Sequence, residues 1–214
     1  MIIPKLHYIS QGNTSKEILE NIQKACTSGA ELVVLRYKDA SEKKYLKLAK
    51  EVIKITTHYQ TRLIITDFYK LAKDIKADGV LLEASEASVT FVKKHLYTWQ
   101  SIGGYANTLA DCENLLDHQI NYIYLGPFKT SDTENNTKTA LGLSGYTAIT
   151  DVLKTPTPIL AYGGVSLQDV TPLLKTDISG IAASDAITQD FDSIKLFNQL
   201  LNASSTQEQR HTFE

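Results

Sequence analysis

Short apolar runs recur along the chain at a near-regular spacing, separated by stretches whose apolar residues return every three or four positions. Eight runs have strand length: KLHYIS (5–10), ELVVLR (31–36), RLIIT (62–66), GVLLE (79–83), QSIGGY (100–105), YIYLGP (122–127), PILAYG (158–163) and GIAAS (180–184). They are nearly continuous rather than alternating, the pattern of parallel strands buried on both faces. The segments between them read as amphipathic helices. SKEILENIQKACTSG starts at the N-cap candidate Ser15 and stops at Gly29. SEKKYLKLAKEVIKITTHY starts at Ser41, and TLADCENLLDHQ, SGYTAITDVLK, SLQDVTPLLK and DFDSIKLFNQLL follow the same rule. Stretches 67–76 and 86–95 carry a weaker helical pattern. Pro172 predicts a helix that starts there or bends.

Eight strand–helix units predict an α/β fold, a single-domain (β/α)8 (TIM) barrel over residues 1–203, with a polar, disordered tail at 204–214. The alternative is an open doubly wound sheet, but no GxGxxG follows the first strand. The 214 residues carry a net charge of −2, which argues against a nucleic-acid partner. No apolar run reaches the roughly 18 residues of a membrane span, and the N-terminus lacks the pattern of an export signal. Two cysteines are too few for a disulfide framework, so a reduced, cytoplasmic setting is expected. The sequence leaves a homo-oligomer open.

In such a barrel the chemistry sits where strands end and βα loops begin. Arg36 and Lys38 bracket the end of strand 2 and suggest an anion such as phosphate or diphosphate, against the alternative of a surface pair with Asp39 or Glu42. The chain has only three arginines, Arg36, Arg62 and Arg210, and only Arg36 falls at a strand's C-terminal end. Asp67 ends strand 3, where it is a candidate for binding Mg2+, for capping a helix, or for both. Gly163–Gly164 and Ser184 end strands 7 and 8, the usual phosphate cradle of this architecture. Asp185 is awkward there, because a carboxylate repels a phosphate unless it turns away. Thr66, Tyr105 and Asn107 end strands 3 and 5. The long loop after strand 6, about 128–143, is rich in Thr, Asn and Lys and has the length of a lid or binding loop. No histidine falls at a strand's C-terminal end, so charge stabilisation and positioning are favoured over proton abstraction.

At these residues the chain resembles the thiamine-phosphate synthase family, which includes the thiazole tautomerases. The likeness runs from Lys5 to about Leu201 and rests on LRYKDAS (35–41), IITDFYKLAKDIKADGVLL (64–82), IGGYANTLADCE (102–113), YIYLGPFKT (122–130), GLSGYTAI (142–149), PILAYGGVSLQDV (158–170) and SGIAASDAI (179–187). The resemblance implies a transferase of thiamine biosynthesis, joining an aminopyrimidine diphosphate to a thiazole phosphate with release of pyrophosphate. It implies Mg2+ as cofactor and these phosphorylated small molecules as partners. Carried over, Arg36, Lys38 and Lys138 are the catalytic candidates, and Asp67 and Glu86 the metal ligands. Thr66, Tyr105, Asn107, Thr130, Thr133, Gly163, Gly164, Ser184 and Asp185 are the candidate substrate and phosphate contacts.

Several positions depart from the family pattern. Val34 replaces a Gln, Thr66 an Asn, Phe68 a basic residue, Leu81 a His and Tyr105 a Ser. Glu86 is the residue left to supply a second metal carboxylate. Glu134 falls where the family has Lys, so Lys138 substitutes only if the loop is rearranged. Gly126–Pro127 stands where the tautomerase branch has a His, which argues against that activity. A second reading follows from these losses: a paralog that binds a thiamine-related phosphate or a partner without turnover. A third is another phosphate-binding barrel enzyme.

Overall fold

The computed structural model describes residues 2–38, 40–82, 89–130 and 138–202. Eight parallel strands close into a barrel in chain order: β1 (Leu6–Ile9), β2 (Leu32–Leu35), β3 (Arg62–Thr66), β4 (Gly79–Leu82), β5 (Ser101–Ala106), β6 (Tyr122–Leu125), β7 (Ile159–Tyr162) and β8 (Gly180–Ala183). Helices alternate with them: α1 (Ser15–Thr27), α2 (Glu42–His58), α3 (Tyr69–Asp74), α4 (Val89–His95), α5 (Leu109–Asp117), α6 (Gly142–Val152), α7 (Leu167–Leu174), α8 (Asp185–Gln189) and α9 (Ser193–Leu200). The barrel expected from the apolar runs is the fold observed.

Local differences have local causes. The N-cap of α1 is Thr14, not Ser15, because its hydroxyl accepts the Glu17 N–H three residues on. Asp67 does not cap α3: Phe68 occupies that position and gives no side-chain cap bond. Helix α7 begins at Leu167 behind a Ser166–Asp169 capping box, and Pro172 lies inside it, two residues before its end. Helix α8, five residues long, falls below what an apolar period can reveal.

Two apolar layers hold the barrel. The larger packs the outward strand faces against the helices, with Ile18, Ile22, Val52, Leu63, Val92 and Phe197 fully buried. Removing such side chains from water supplies the main drive to fold. The smaller fills the barrel with Ile9, Leu32, Val34, Ile64, Leu81, Tyr122, Tyr124, Leu160, Tyr162 and Ala182. His7 joins it, its Nδ1 2.6 Å from the Tyr124 hydroxyl. Burial drives His7 down to about 3, so it stays neutral at neutral pH. The bulk of Tyr122 is admitted by its neighbour: a Cβ on Gly103 would lie 2.2 Å from the Tyr122 ring. Outside the barrel, buried tyrosines from two helices satisfy strand-end carbonyls. Tyr45 of α2 donates to the Leu35 carbonyl at 2.7 Å, and Tyr146 of α6 donates to the Leu125 carbonyl. These bonds fix the backbone just before the loops after β2 and β6.

Candidate active site

A cavity of about 740 Å3 opens at the C-terminal ends of β1, β2 and β8. Its walls include Ser10, Gln11 and Asn13 after β1, Arg36, Tyr37 and Lys38 after β2, Lys44 in the first turn of α2, and Ser184, Asp185 and Thr188. Ser10 sets the position of Arg36: the Arg36 N–H donates to the Ser10 hydroxyl at 3.1 Å, and that hydroxyl faces the Arg36 carbonyl at 3.4 Å. Ser184 is tied to β1 through its hydroxyl, which donates to the Ile9 carbonyl at 2.8 Å. Arg36, Lys38 and Lys44 bring three cations to one cavity. The two carboxylates that share it accept bonds from the chain. Glu17 takes the Asn13 N–H at 2.8 Å, and Asp185 takes the Gln11 side-chain amide. The Gln11 bond answers the difficulty posed by Asp185, since a carboxylate held by an amide donor at the start of α8 has part of its charge already balanced.

A smaller cavity of about 210 Å3 adjoins at the ends of β7 and β8, lined among others by Tyr162, Gly163, Gly164, Ser166, Ser184, Asp185 and Gln189. Ser184 and Asp185 border both cavities. Gly163 and Gly164 have φ of +84° and +68°, which side chains rarely adopt. Packing requires glycine here as well: a Cβ on Gly163 would lie 2.5 Å from Pro127 Cβ, and one on Gly164 3.0 Å from Lys129 Cβ. The β7 end is stapled to the loop after β6, because the Gly163 carbonyl accepts the Phe128 and Lys129 N–H groups at 3.0 Å each. Lys129 then reaches Asp169, at 2.7 and 2.8 Å to its two oxygens. Burial alone would raise the Asp169 carboxyl, but Lys129 and Ser166 outweigh it and hold it below its ordinary value.

Asp67 follows β3 with a φ of +56°. Five other non-glycine residues in the described structure share that conformation: Gln60, Lys76, Gln119, Asp177 and Asn202. All five follow the C-terminal ends of helices, where a left-handed residue is a common stop. Asp67 follows a strand and not a helix, and its N–H donates to the Leu81 carbonyl of β4 at 3.0 Å. Thr66 is committed to the scaffold: its hydroxyl donates to the Leu35 carbonyl at 3.1 Å and lies 3.1 Å from the Tyr45 hydroxyl. Asn107 also serves the frame, donating to the carbonyls of Gly126 at 2.8 Å and Thr139 at 3.1 Å, which ties both ends of the β6 loop to β5.

The sequence candidates therefore divide. Arg36, Lys38, Ser184 and Asp185 share the larger cavity, and Gly163 and Gly164 line the smaller. Asp67 stands on the same rim, one residue beyond Thr66, on the strand paired to β2. Lys138 does not line the cavity around Arg36; its charge acts on Asp111 at the start of α5. Thr130 is exposed after β6. Glu86, Thr133, Glu134, Asp39 and the 204–214 tail lie outside the described residues. The replaced positions Val34, Leu81 and Tyr105 fall together in the inner apolar layer, with Tyr105 packed edge-on against Tyr124 and Tyr162 at centroid distances of 5.4 and 4.8 Å. Sequence reasoning passed over Lys44, Asn13 and Thr188. For Lys44 a signal existed, since it stands in the first turn of the helix that follows Arg36 and Lys38.

Fold and rim together define a (β/α)8 protein with two adjoining chambers, one rich in cations and one edged by glycine backbone. The comparisons with known proteins are more particular. A family profile described as thiamine monophosphate synthase matches residues 6–187. The thiamine-phosphate synthase of Flavobacterium johnsoniae is 40% identical over 201 residues, covering 92% of this chain and 94% of that protein. That of Bacteroides fragilis is 30% identical, covering 92% and 98%. Among solved structures, a thiamine phosphate pyrophosphorylase from Pyrococcus furiosus superposes with a TM-score of 0.79 at 22% identity, covering 92% of this chain and 95% of that one. This chain belongs to the thiamine-phosphate synthase family.

Proposed function

We propose that the protein is a thiamine-phosphate synthase, joining an aminopyrimidine diphosphate to a thiazole phosphate. The observation that carries the reading is the pair of adjoining cavities sharing Ser184 and Asp185, the larger holding Arg36 and Lys38. In the reaction, the bond between the pyrimidine methylene carbon and the diphosphate oxygen breaks, and pyrophosphate leaves with the electron pair. The lone pair of the thiazole nitrogen forms the new C–N bond. No proton has to be removed, which agrees with a rim that carries cations and, among the described residues, no histidine. Arg36 and Lys38 bind the leaving diphosphate and stabilise its growing charge. The Gly163–Gly164 backbone cradles the thiazole phosphate and sets the second ring for attack.

Mg2+ suits this site in part. Among the described residues no three His, Cys, Asp or Glu side chains gather as a metal cluster. Mg2+, however, typically takes one or two protein carboxylates, its other ligands being phosphate oxygens and water. Asp67, held left-handed on the rim beside the strand that bears Arg36, has the hard oxygen donors for that role, with Glu86 as the second carboxylate. Bound there with the substrate, the ion would neutralise diphosphate charge. In this reading Lys138 is a further catalytic cation, and Tyr105, Thr130 and Thr133 are further substrate contacts.

The second reading, binding without turnover, draws support from Val34 and Leu81, which make the barrel floor apolar where the family has hydrogen-bonding groups. Pyrophosphate release from both substrates with Mg2+ tests the choice. Turnover above background confirms the synthase. Folded protein that releases none overturns it, and tight calorimetric binding of thiamine phosphate would then favour the binder. No described helix is long and apolar enough to cross a membrane. We take residues 1–203 as one catalytic domain working in the cytoplasm, and sedimentation would show whether it forms a homo-oligomer.

A further inference from the structure

We propose that Lys44 is a third cation for the leaving diphosphate, beside Arg36 and Lys38. The inference rests on the synthase reading and deepens it. Lys44 lines the same cavity as Arg36 and Lys38 although it comes from α2, not from the β2 end. Its ammonium lies 4.8 Å from the centroid of the Tyr37 ring, and Tyr37 sits between Arg36 and Lys38 in the chain and lines the cavity too. The ring therefore carries Lys44 toward the two other cations, a contact known to attract ammonium groups.

The helix gives Lys44 no reason to be where it is. It is the third residue of α2, close to the positive end of the helix dipole, where a cation is disfavoured. Among the described residues Lys16, Lys54, Lys129 and Lys154 pair with carboxylates. Among the described residues Lys44 has no such ion pair, and the cavity's own carboxylates accept bonds from Asn13 and Gln11. An anion in the cavity would meet Lys44 together with Arg36 and Lys38. Lys44 thus brings a third positive charge to the cavity that holds Arg36 and Lys38.

The test uses inorganic pyrophosphate as the probe, titrated calorimetrically into the folded full-length protein, alongside steady-state kinetics. Lys44→Gln is expected to weaken pyrophosphate about tenfold and to raise KM for the aminopyrimidine diphosphate by a similar factor, with KM for the thiazole phosphate unchanged. Lys44→Arg should keep most of the affinity. Tyr37→Leu should weaken it about threefold by releasing the ammonium. Lys43→Gln removes the same charge one residue away, outside the cavity, and should stay within about twofold of wild type. All these positions are exposed or half-buried, and equal melting temperatures verify folding. If Lys44→Gln and Lys43→Gln behave alike, the assignment of Lys44 is overturned while the synthase reading stands. If wild-type protein neither binds pyrophosphate nor turns over, both fall together.

Discussion

The rim of this barrel has two sides that use the same residue types in opposite ways. At the ends of β1, β2 and β8, Lys38 and Lys44 face a cavity of about 740 Å3 and make no ion pair with the described carboxylates. At the ends of β6 and β7, Lys129 is bound through both oxygens of Asp169, and that carboxylate also closes the capping box of α7. The Gly163 carbonyl, the Asn107 amide and the Tyr146 hydroxyl are likewise spent on holding the β6 loop. A charged residue at a strand end is thus no sign of ligand binding by itself. The informative observation is whether the fold has already supplied its counter-charge.

That contrast is broken most severely at Arg36. Arg36→Ala should lower pyrophosphate release about 10²- to 10³-fold, because a charged contact to the leaving group is lost, while urea denaturation shows stability within about 0.5 kcal/mol of wild type. A loss under tenfold in folded protein would remove Arg36 from the site. The opposite behaviour is expected at Gly163. Gly163→Ala adds a Cβ 2.5 Å from Pro127 Cβ at a φ of +84°, and should cost about 1–3 kcal/mol of stability measured by denaturation. Normal stability there would mean the staple between β6 and β7 is not structural.

The smallest effect belongs to Lys129, whose side chain is half exposed. Lys129→Met should cost about 0.5–1 kcal/mol and leave pyrophosphate affinity unchanged. The matching change Asp169→Asn carries a pH signature. The native Asp169 carboxyl is held below its ordinary value, so its contribution is complete above the unfolded value of about 3.9 and fades as pH falls through the native one. The stability gap between wild type and Asp169→Asn should therefore narrow in acid, and a gap that widens would contradict the assignment. Melting temperatures across pH measure it.

Much of the fold was legible because a parallel barrel writes itself as repeated apolar runs. Each strand needs both faces covered, so ELVVLR and YIYLGP stand out without any partner being known. Helix ends were legible to about a residue where a hydroxyl sits before the first turn, as at Ser41, and displaced where two neighbours compete, as at Thr14 and Ser15. The candidate site was legible as strand ends, and Arg36, Lys38, Gly163, Gly164, Ser184 and Asp185, picked by that rule, line the two cavities. The rule did not separate the residues that line a cavity from those whose hydrogen bonds hold the frame. Thr66 and Asn107 are polar strand-end residues like the others, yet their hydrogen bonds go to Leu35, Gly126 and Thr139.

The sequence by itself determined the eight-fold repeat, the barrel and the position of the single arginine at a strand's C-terminal end, since local period and residue type suffice for these. Tertiary structure alone decided which charges are satisfied. Lys129 meets Asp169 across 40 residues, and Gln11 meets Asp185 across 174. Counter-charge depends on distance in space and not on spacing in the chain, because electrostatic and hydrogen-bond energies are set within a few ångströms. The cavity and the lysines that serve it come into being only when β1, β2 and β8 lie side by side.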